Sequence, residues 1–247
     1  MKRSAIVTGA TSGIGRAVAL ALARHGYWVL ASGRDEGRGE DVARALGEDG
    51  EFFAGDLEQD GTPQALVDRS VASAGRLDLV VNNAGIHFLA TIDKTDPAEL
   101  DKLLATNLRA ALLMCRAAIP ALRDAGGGVV INVSSEAGIV AVPGQVAYNV
   151  SKAGLIMLTK SIASDHSADG IRAVTICPGT TRTPLVEAAI ASASDPEAHA
   201  KRLASNRPAQ RLGTEEEIAN AVVFAASDAA SFMTGSEIVV DGGYTAV

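Results

Sequence analysis

The chain has 247 residues, 47% hydrophobic and 21% charged, the balance of a soluble globular fold with room for a sizeable core. A formal net charge of −7, with no stripe of Lys and Arg, argues against a nucleic-acid partner. No apolar run approaches a membrane span, and the run after Met1-Lys2-Arg3 is broken at Thr8 and Gly9, so no membrane association and no signal peptide are predicted and a cytoplasmic location is expected.

The first predicted strand is Ala5-Ile6-Val7, an apolar run suited to burial on both faces. Gly9, Gly13 and Gly15 follow at G-x-x-x-G-x-G spacing, interleaved with Thr8, Thr11 and Ser12. From Ile14 the apolar residues Ala17, Val18, Ala21 and Leu22 recur at helical spacing. A helix opening straight after such a turn presents unpaired N–H groups and the positive end of its dipole, which suits a phosphate. Glycine is needed there because a Cβ would hold a pyrophosphate away from the backbone. Strand, turn and helix together point to dinucleotide binding.

Further along, residues 28–31, 51–54, 77–81, 129–133, 171–176 and 237–240 read as strands, and 39–46, 64–73, 97–122, 147–166 and 215–226 as helices. Strands alternating with helices imply βαβ units and a doubly wound, mainly parallel α/β sheet of Rossmann type. A single domain over residues 1–247 is expected, with its ligand at the carboxyl ends of the strands. Residues 183–206 form the one long irregular piece, readable either as a mobile substrate lid or as a plain surface helical excursion. Cys115 and Cys177 are isolated in sequence and fit core positions better than a metal site or a disulfide.

Tyr148 and Lys152, four apart at the start of a helix, share one face. A phenol is a poor acid–base catalyst near neutrality, and an ammonium held about 4 Å away lowers its pKa by roughly three units at an effective dielectric near 20. Ser135 follows the strand 129–133 at the ligand-binding edge, and Asn107 is a polar residue inside the apolar pattern of helix 97–122.

These motifs, in this order, resemble the short-chain dehydrogenase/reductase family over essentially the whole chain. Thr8 to Gly15 is similar to its cofactor turn, Asn82-Asn83-Ala84-Gly85 to the motif after its fourth strand, and Asp56 to its adenine contact. Asn107, Ser135, Tyr148 and Lys152 match its catalytic tetrad, and Pro178-Gly179 with Thr183 its nicotinamide segment. The resemblance implies an NAD(P)-dependent oxidoreductase acting on a secondary alcohol or ketone. In it Tyr148 exchanges the substrate proton, Ser135 hydrogen-bonds the reacting oxygen, Lys152 lowers the tyrosine pKa and holds the nicotinamide ribose, and Asn107 holds a water. The implied cofactor contacts are Gly9, Thr11, Ser12, Gly13, Ile14, Gly15, Arg34, Asp56, Leu57, Asn83, Ala84, Gly85, Tyr148, Lys152, Pro178, Gly179, Thr181 and Thr183. Gly33 stands where relatives selective for NAD carry an aspartate and leaves space, and Arg34 suits a 2′-phosphate, so NADP(H) is expected over NAD(H), with Asp35 and Glu36 as possible offsets.

A homotetramer is implied through helices 97–122 and 147–166, which are apolar over more than one stripe. Competing readings are a dinucleotide-binding sensor without catalysis, against which all four tetrad positions stand, and a sugar-nucleotide epimerase, for whose extra C-terminal sequence there is no room. His87, Glu136, Gln145 and Arg182 lie near the expected pocket; Glu136 and Gln145 read as its polar rim and Arg182 as a carboxylate ligand or a solvent-facing charge.

Overall fold

The computed structural model describes residues 2–247. Seven parallel strands form one sheet: β1 (Arg3–Thr8), β2 (Tyr27–Gly33), β3 (Gly50–Ala54), β4 (Leu79–Asn82), β5 (Gly128–Val133), β6 (Ile171–Pro178) and, last in the chain, β9 (Ser236–Val240). Two-residue strands β7 (Thr181–Arg182) and β8 (Gly213–Thr214) pair apart from it. The helices are α1 (Gly13–Arg24), α2 (Glu36–Leu46), α3 (Thr62–Ala74), α4 (Pro97–Leu104), α5 (Ala110–Asp124), α6 (Val146–His166), α7 (Pro184–Ala191), α8 (Pro196–Ser205) and α9 (Glu215–Ala226).

Alternation along the strands explains the two layers. Ala5 and Val7 of β1 pack with Val29 and Ala31 of β2 against α1, α2 and α9, while Ile6 and Leu30 face α3 and α5 on the other side. Strands buried on both faces must be apolar throughout, which is why they read as runs. Each fully buried Leu, Ile or Met, such as Leu79, Ile131 and Met114, contributes ~1.5–3 kcal/mol.

The sheet order is β3-β2-β1-β4-β5-β6-β9. The winding therefore reverses between β1 and β4, opening a crevice outside their carboxyl ends. The glycine turn after β1 and the Asn83–Ala84–Gly85 stretch after β4 form its two lips.

Four differences from the sequence reading have physical causes. Residues 183–206 are not irregular: Thr183 and Asp195 cap α7 and α8, each with proline at the first helical position. Helix α2 begins before Gly39 because the Asp35 side chain accepts from the Arg38 N–H. The helix predicted over 97–122 runs from Pro97 to Asp124 and contains a π-helical turn at Ala105–Arg109. That same helix is long and apolar enough to cross a membrane by length and composition, contrary to the sequence reading, yet its Met114, Ala118 and Leu122 are buried in the core.

Candidate active site

The groove beside the glycine turn has a volume of about 400 Å³. Gly9, Thr11, Ser12, Gly13, Ile14, Gly15, Arg34, Asp56, Leu57, Asn83, Ala84, Gly85 and Thr183 line it, as read from the sequence. Its floor is shaped by close approach. A Cβ on Gly15 would stand 2.3 Å from the Gly9 carbonyl oxygen, and Gly9 itself has a positive φ of 64°. Asn83 ties the lips together: its Nδ2 donates to the carbonyls of Thr8 (3.0 Å) and Gly9 (3.2 Å), and its own N–H donates to Thr8 Oγ1 (3.0 Å).

The residues present fit a dinucleotide. Ser12 caps α1 without spending its hydroxyl on the helix, and the first turn carries no acidic side chain, so N–H groups and positive dipole end are free for an anion. A Cβ on Gly13 would project into the gap toward Thr183, 3.6 Å from its methyl group, and would narrow the cradle.

At the Arg34 end the structure changes the reading. Gly33 does not leave an open space: a Cβ there would meet Thr11 Cγ2 at 2.6 Å, so Thr11 already leans over the glycine. The Asp35 carboxylate lines the groove beside Arg34 and is held by Arg38, with Nε donating at 2.8 Å and the backbone N–H at 2.9 Å. That backbone hydrogen bond is the main reason its pKa lies below the usual carboxylate value. Arg38 lines the groove beside Arg34 and was missed in the sequence; its place one helical turn after Asp35 was the available signal.

The four candidate catalytic residues converge at the carboxyl ends of β4 and β5. Asn107 sits within the π-helical turn, an irregularity common at functional sites. Its Oδ1 accepts from the Ile86 N–H (2.7 Å), and its Nδ2 donates to the Ile86 carbonyl (2.9 Å) and to Ser151 Oγ (3.2 Å). Lys152 is buried on α6 and donates from Nζ to the Val133 carbonyl at 2.9 Å, with Nζ 5.5 Å from the centre of the Tyr148 ring. Ser135 opens a short turn whose Ala137 N–H donates to its Oγ at 3.1 Å. Beneath them a polar ladder crosses the sheet: Asn82 Nδ2 donates to Asn132 Oδ1, and Asn132 Nδ2 to Thr159 Oγ1, both at 2.8 Å. It locks β4, β5 and α6 in register.

Burial, more than the ammonium, governs the ionisation of the phenol. Burial pushes Tyr148 up to about 12, against the Ser135 hydroxyl and with the Glu136 carboxylate. Burial also pulls Lys152 down to about 8. The spacing placed both side chains on one face correctly, but burial outweighs a charge that spends its hydrogen bond on a carbonyl.

Other expectations separate here. Tyr148, Lys152, Pro178, Gly179 and Thr181 lie outside the lining of the 400 Å³ groove. Gly179 faces a smaller cavity with Thr180, Arg207 and Asp241, and the Thr181 hydroxyl donates to the Gly179 carbonyl at 2.9 Å. Glu136 is no rim residue: it is buried against Arg207. Arg182 pairs with Glu187 on the surface at 3.0 Å. His87 does reach the site, with its ring edge-on to Tyr148 at 4.8 Å between centroids. Both cysteines are free and buried, as the sequence suggested.

A family model described as enoyl-(acyl carrier protein) reductase, one of the short-chain dehydrogenase/reductase models, matches residues 9–245. The chain belongs to the short-chain dehydrogenase/reductase family. It is similar to an uncharacterized oxidoreductase of Thermotoga maritima, 41% identical and covering 98% of this chain and 97% of the relative. It is also similar to the cis-4-hydroxycyclohexanecarboxylate dehydrogenase of Sinomonas cyclohexanicum, 40% identical over 100% of this chain and 98% of the relative. Among solved structures, one titled "ElxO with NADP Bound" superposes with a TM-score of 0.93 at 28% identity and full coverage of both chains. As a short-chain dehydrogenase/reductase the chain is a nicotinamide-dependent oxidoreductase acting on CH–OH groups, and its Rossmann-like sheet is the one the sequence predicted.

Proposed function

We propose that the protein interconverts a secondary alcohol and its ketone, with Tyr148 as the proton-transferring group and NADP(H) preferred over NAD(H). The observation that carries the acid–base assignment is the convergence of Ser135, Tyr148 and Lys152 beside the groove, on elements held in register by the polar ladder. The nicotinamide, when bound, supplies or accepts the hydride, and the chain itself has to orient, polarise and move a proton.

A phenol with a pKa near 12 is protonated at neutral pH and is therefore ready to donate to the oxygen of a ketone as negative charge develops there. The Ser135 hydroxyl donates to the same oxygen and fixes its direction. The Lys152 ammonium favours the anionic phenol left behind, which matters most below about pH 8, where it keeps its proton. Asn107 holds the loop after β4 through both ends of its amide, so Ile86 and Gly85 keep their place beside Lys152.

Arg34 and Arg38 support the NADP(H) preference, since two guanidinium groups line one end of the groove and the nearest carboxylate is already engaged. The excursion formed by α7 and α8 acts as the substrate lid, with Thr183, Pro184 and Leu185 lining the groove at its start. The chain works as a cytoplasmic homotetramer, an assembly supported by the exposed Leu112, Val150 and Met157 on α5 and α6. A panel of secondary alcohols and ketones followed at 340 nm with each cofactor tests the activity. Cofactor binding with no absorbance change on any substrate would overturn it.

A further inference from the structure

Behind Ser135 lies a buried ion pair that the reaction as derived does not use. Glu136 Oε2 and Arg207 Nη1 are 3.5 Å apart, with side chains only 9% and 1% exposed. Arg207 spends the rest of its fork on separate parts of the chain. Nη2 donates to Thr180 Oγ1 (2.8 Å), Nη1 to the Asp241 carbonyl (3.3 Å) and Nε to the Leu203 carbonyl (3.1 Å). The Tyr244 ring lies under the guanidinium, 5.4 Å from Cζ. Gly179 has to be glycine here, since a Cβ would stand 2.7 Å from both Arg207 Nη1 and Glu136 Oε2.

Four segments therefore meet on one pair: the turn that Ser135 opens, the turn after β6, the end of α8, and the chain following β9. Arg207 immediately follows residues 183–206, so the excursion's far hinge is fastened to the residue next to the serine. Burying two charges is costly and is retained only where the geometry they impose is worth more.

Resting on the function proposed above, we propose that Glu136 and Arg207 are positioning residues, a buried latch that holds Ser135 and the post-β6 turn in catalytic register with the hinge of the α7–α8 excursion. The charged and titratable groups facing Glu136 are Arg207, Asp241 and Tyr148. Burial lifts Glu136 to about 7, against Arg207, and its carboxylate makes Tyr148 harder to ionise. Ionisation of Glu136 thus reaches the phenol electrostatically as well as through the backbone.

Two variants test the latch. Glu136→Gln keeps the acceptor for Arg207 and removes the charge. In the parent, the rise of alcohol-oxidation kcat/KM with pH slackens near pH 7, where Glu136 ionises; in Glu136→Gln that slackening disappears. Arg207→Ala releases all four segments, and kcat falls ~100-fold, the cost of a displacement of about 1 Å at the reacting groups. Cofactor Kd, read by fluorescence titration, stays within about twofold, because neither residue lines the groove. A Glu136→Gln profile superimposable on the parent overturns the proposal, as does a folded Arg207→Ala enzyme with parental kcat. If Arg207→Ala does not fold, the Glu136→Gln profile decides alone. Failure of the underlying function shows differently, as a parent without turnover or a Tyr148→Phe variant that retains it.

Discussion

Replacing Arg34 by alanine should lower the preference for NADP(H) by about tenfold. A charge-assisted hydrogen bond to a 2′-phosphate contributes ~1.5–3 kcal/mol, or roughly 10- to 150-fold. The structure selects the low end of that range. Arg34 is exposed, so solvent and salt screen it, and Arg38 remains in the groove to serve the same phosphate in its place. Because Arg38 serves the phosphate when Arg34 is gone, though its bonds to Asp35 limit it, the double variant Arg34→Ala/Arg38→Ala should lose more than the sum of the singles. The measurement is kcat/KM for each cofactor at 340 nm, at low ionic strength and again near 0.15 M salt, where the preference should shrink. A parent that prefers NAD(H), or a ratio unmoved by Arg34→Ala, would refute the reasoning.

Further outcomes follow from the same geometry. Tyr148→Phe keeps the ring against His87 and removes only the proton, so folding and cofactor affinity survive while turnover drops by at least ~100-fold, measured at saturating substrate. With the phenol near 12, alcohol oxidation needs its scarce anion and climbs by up to ~10-fold per pH unit. Ketone reduction uses the protonated form and should instead decline above pH 8 as Lys152 loses its charge; opposite trends would contradict these assignments. Gly15→Ala sets a methyl 2.3 Å from a backbone oxygen, and overpacking of ~1–3 kcal/mol should lower Tm by several degrees along with cofactor affinity, both visible in a thermal shift titration. Light scattering at micromolar concentration should give four times the monomer mass, and a monomer would leave Leu112, Val150 and Met157 without a partner.

The sheet was legible because two-sided burial writes strands as apolar runs, and the glycine turn because only glycine permits the Gly9–Gly15 approach. Tyr148 and Lys152 were legible because helical spacing is local. The caps of α7 and α8, Thr183-Pro184 and Asp195-Pro196, were present but overshadowed by the alanine- and serine-rich stretch between them. Asn107 stood out as a polar residue in an apolar helix, but the π-helical turn around it was not legible, since helical spacing resumes at once in α5. Nothing local marks Glu136 and Arg207 as partners either, because 71 residues separate them. Nor does spacing report burial, which sets the ionisation of Tyr148.

The Asn83 side chain that stitches the two lips of the groove divides the molecule by workmanship. The lip after β4 is tied to the glycine turn through the carbonyls of Thr8 and Gly9, whereas residues 183–206 reach the groove through Thr183, Pro184 and Leu185 and are held at their far end through the Leu203 carbonyl by Arg207. The excursion is thus a replaceable cassette. Exchanging it between Val186 and Asn206, with Thr183 to Leu185 and Arg207 left in place, should alter substrate preference while the Asn83 bonds to Thr8 and Gly9 stay as they are.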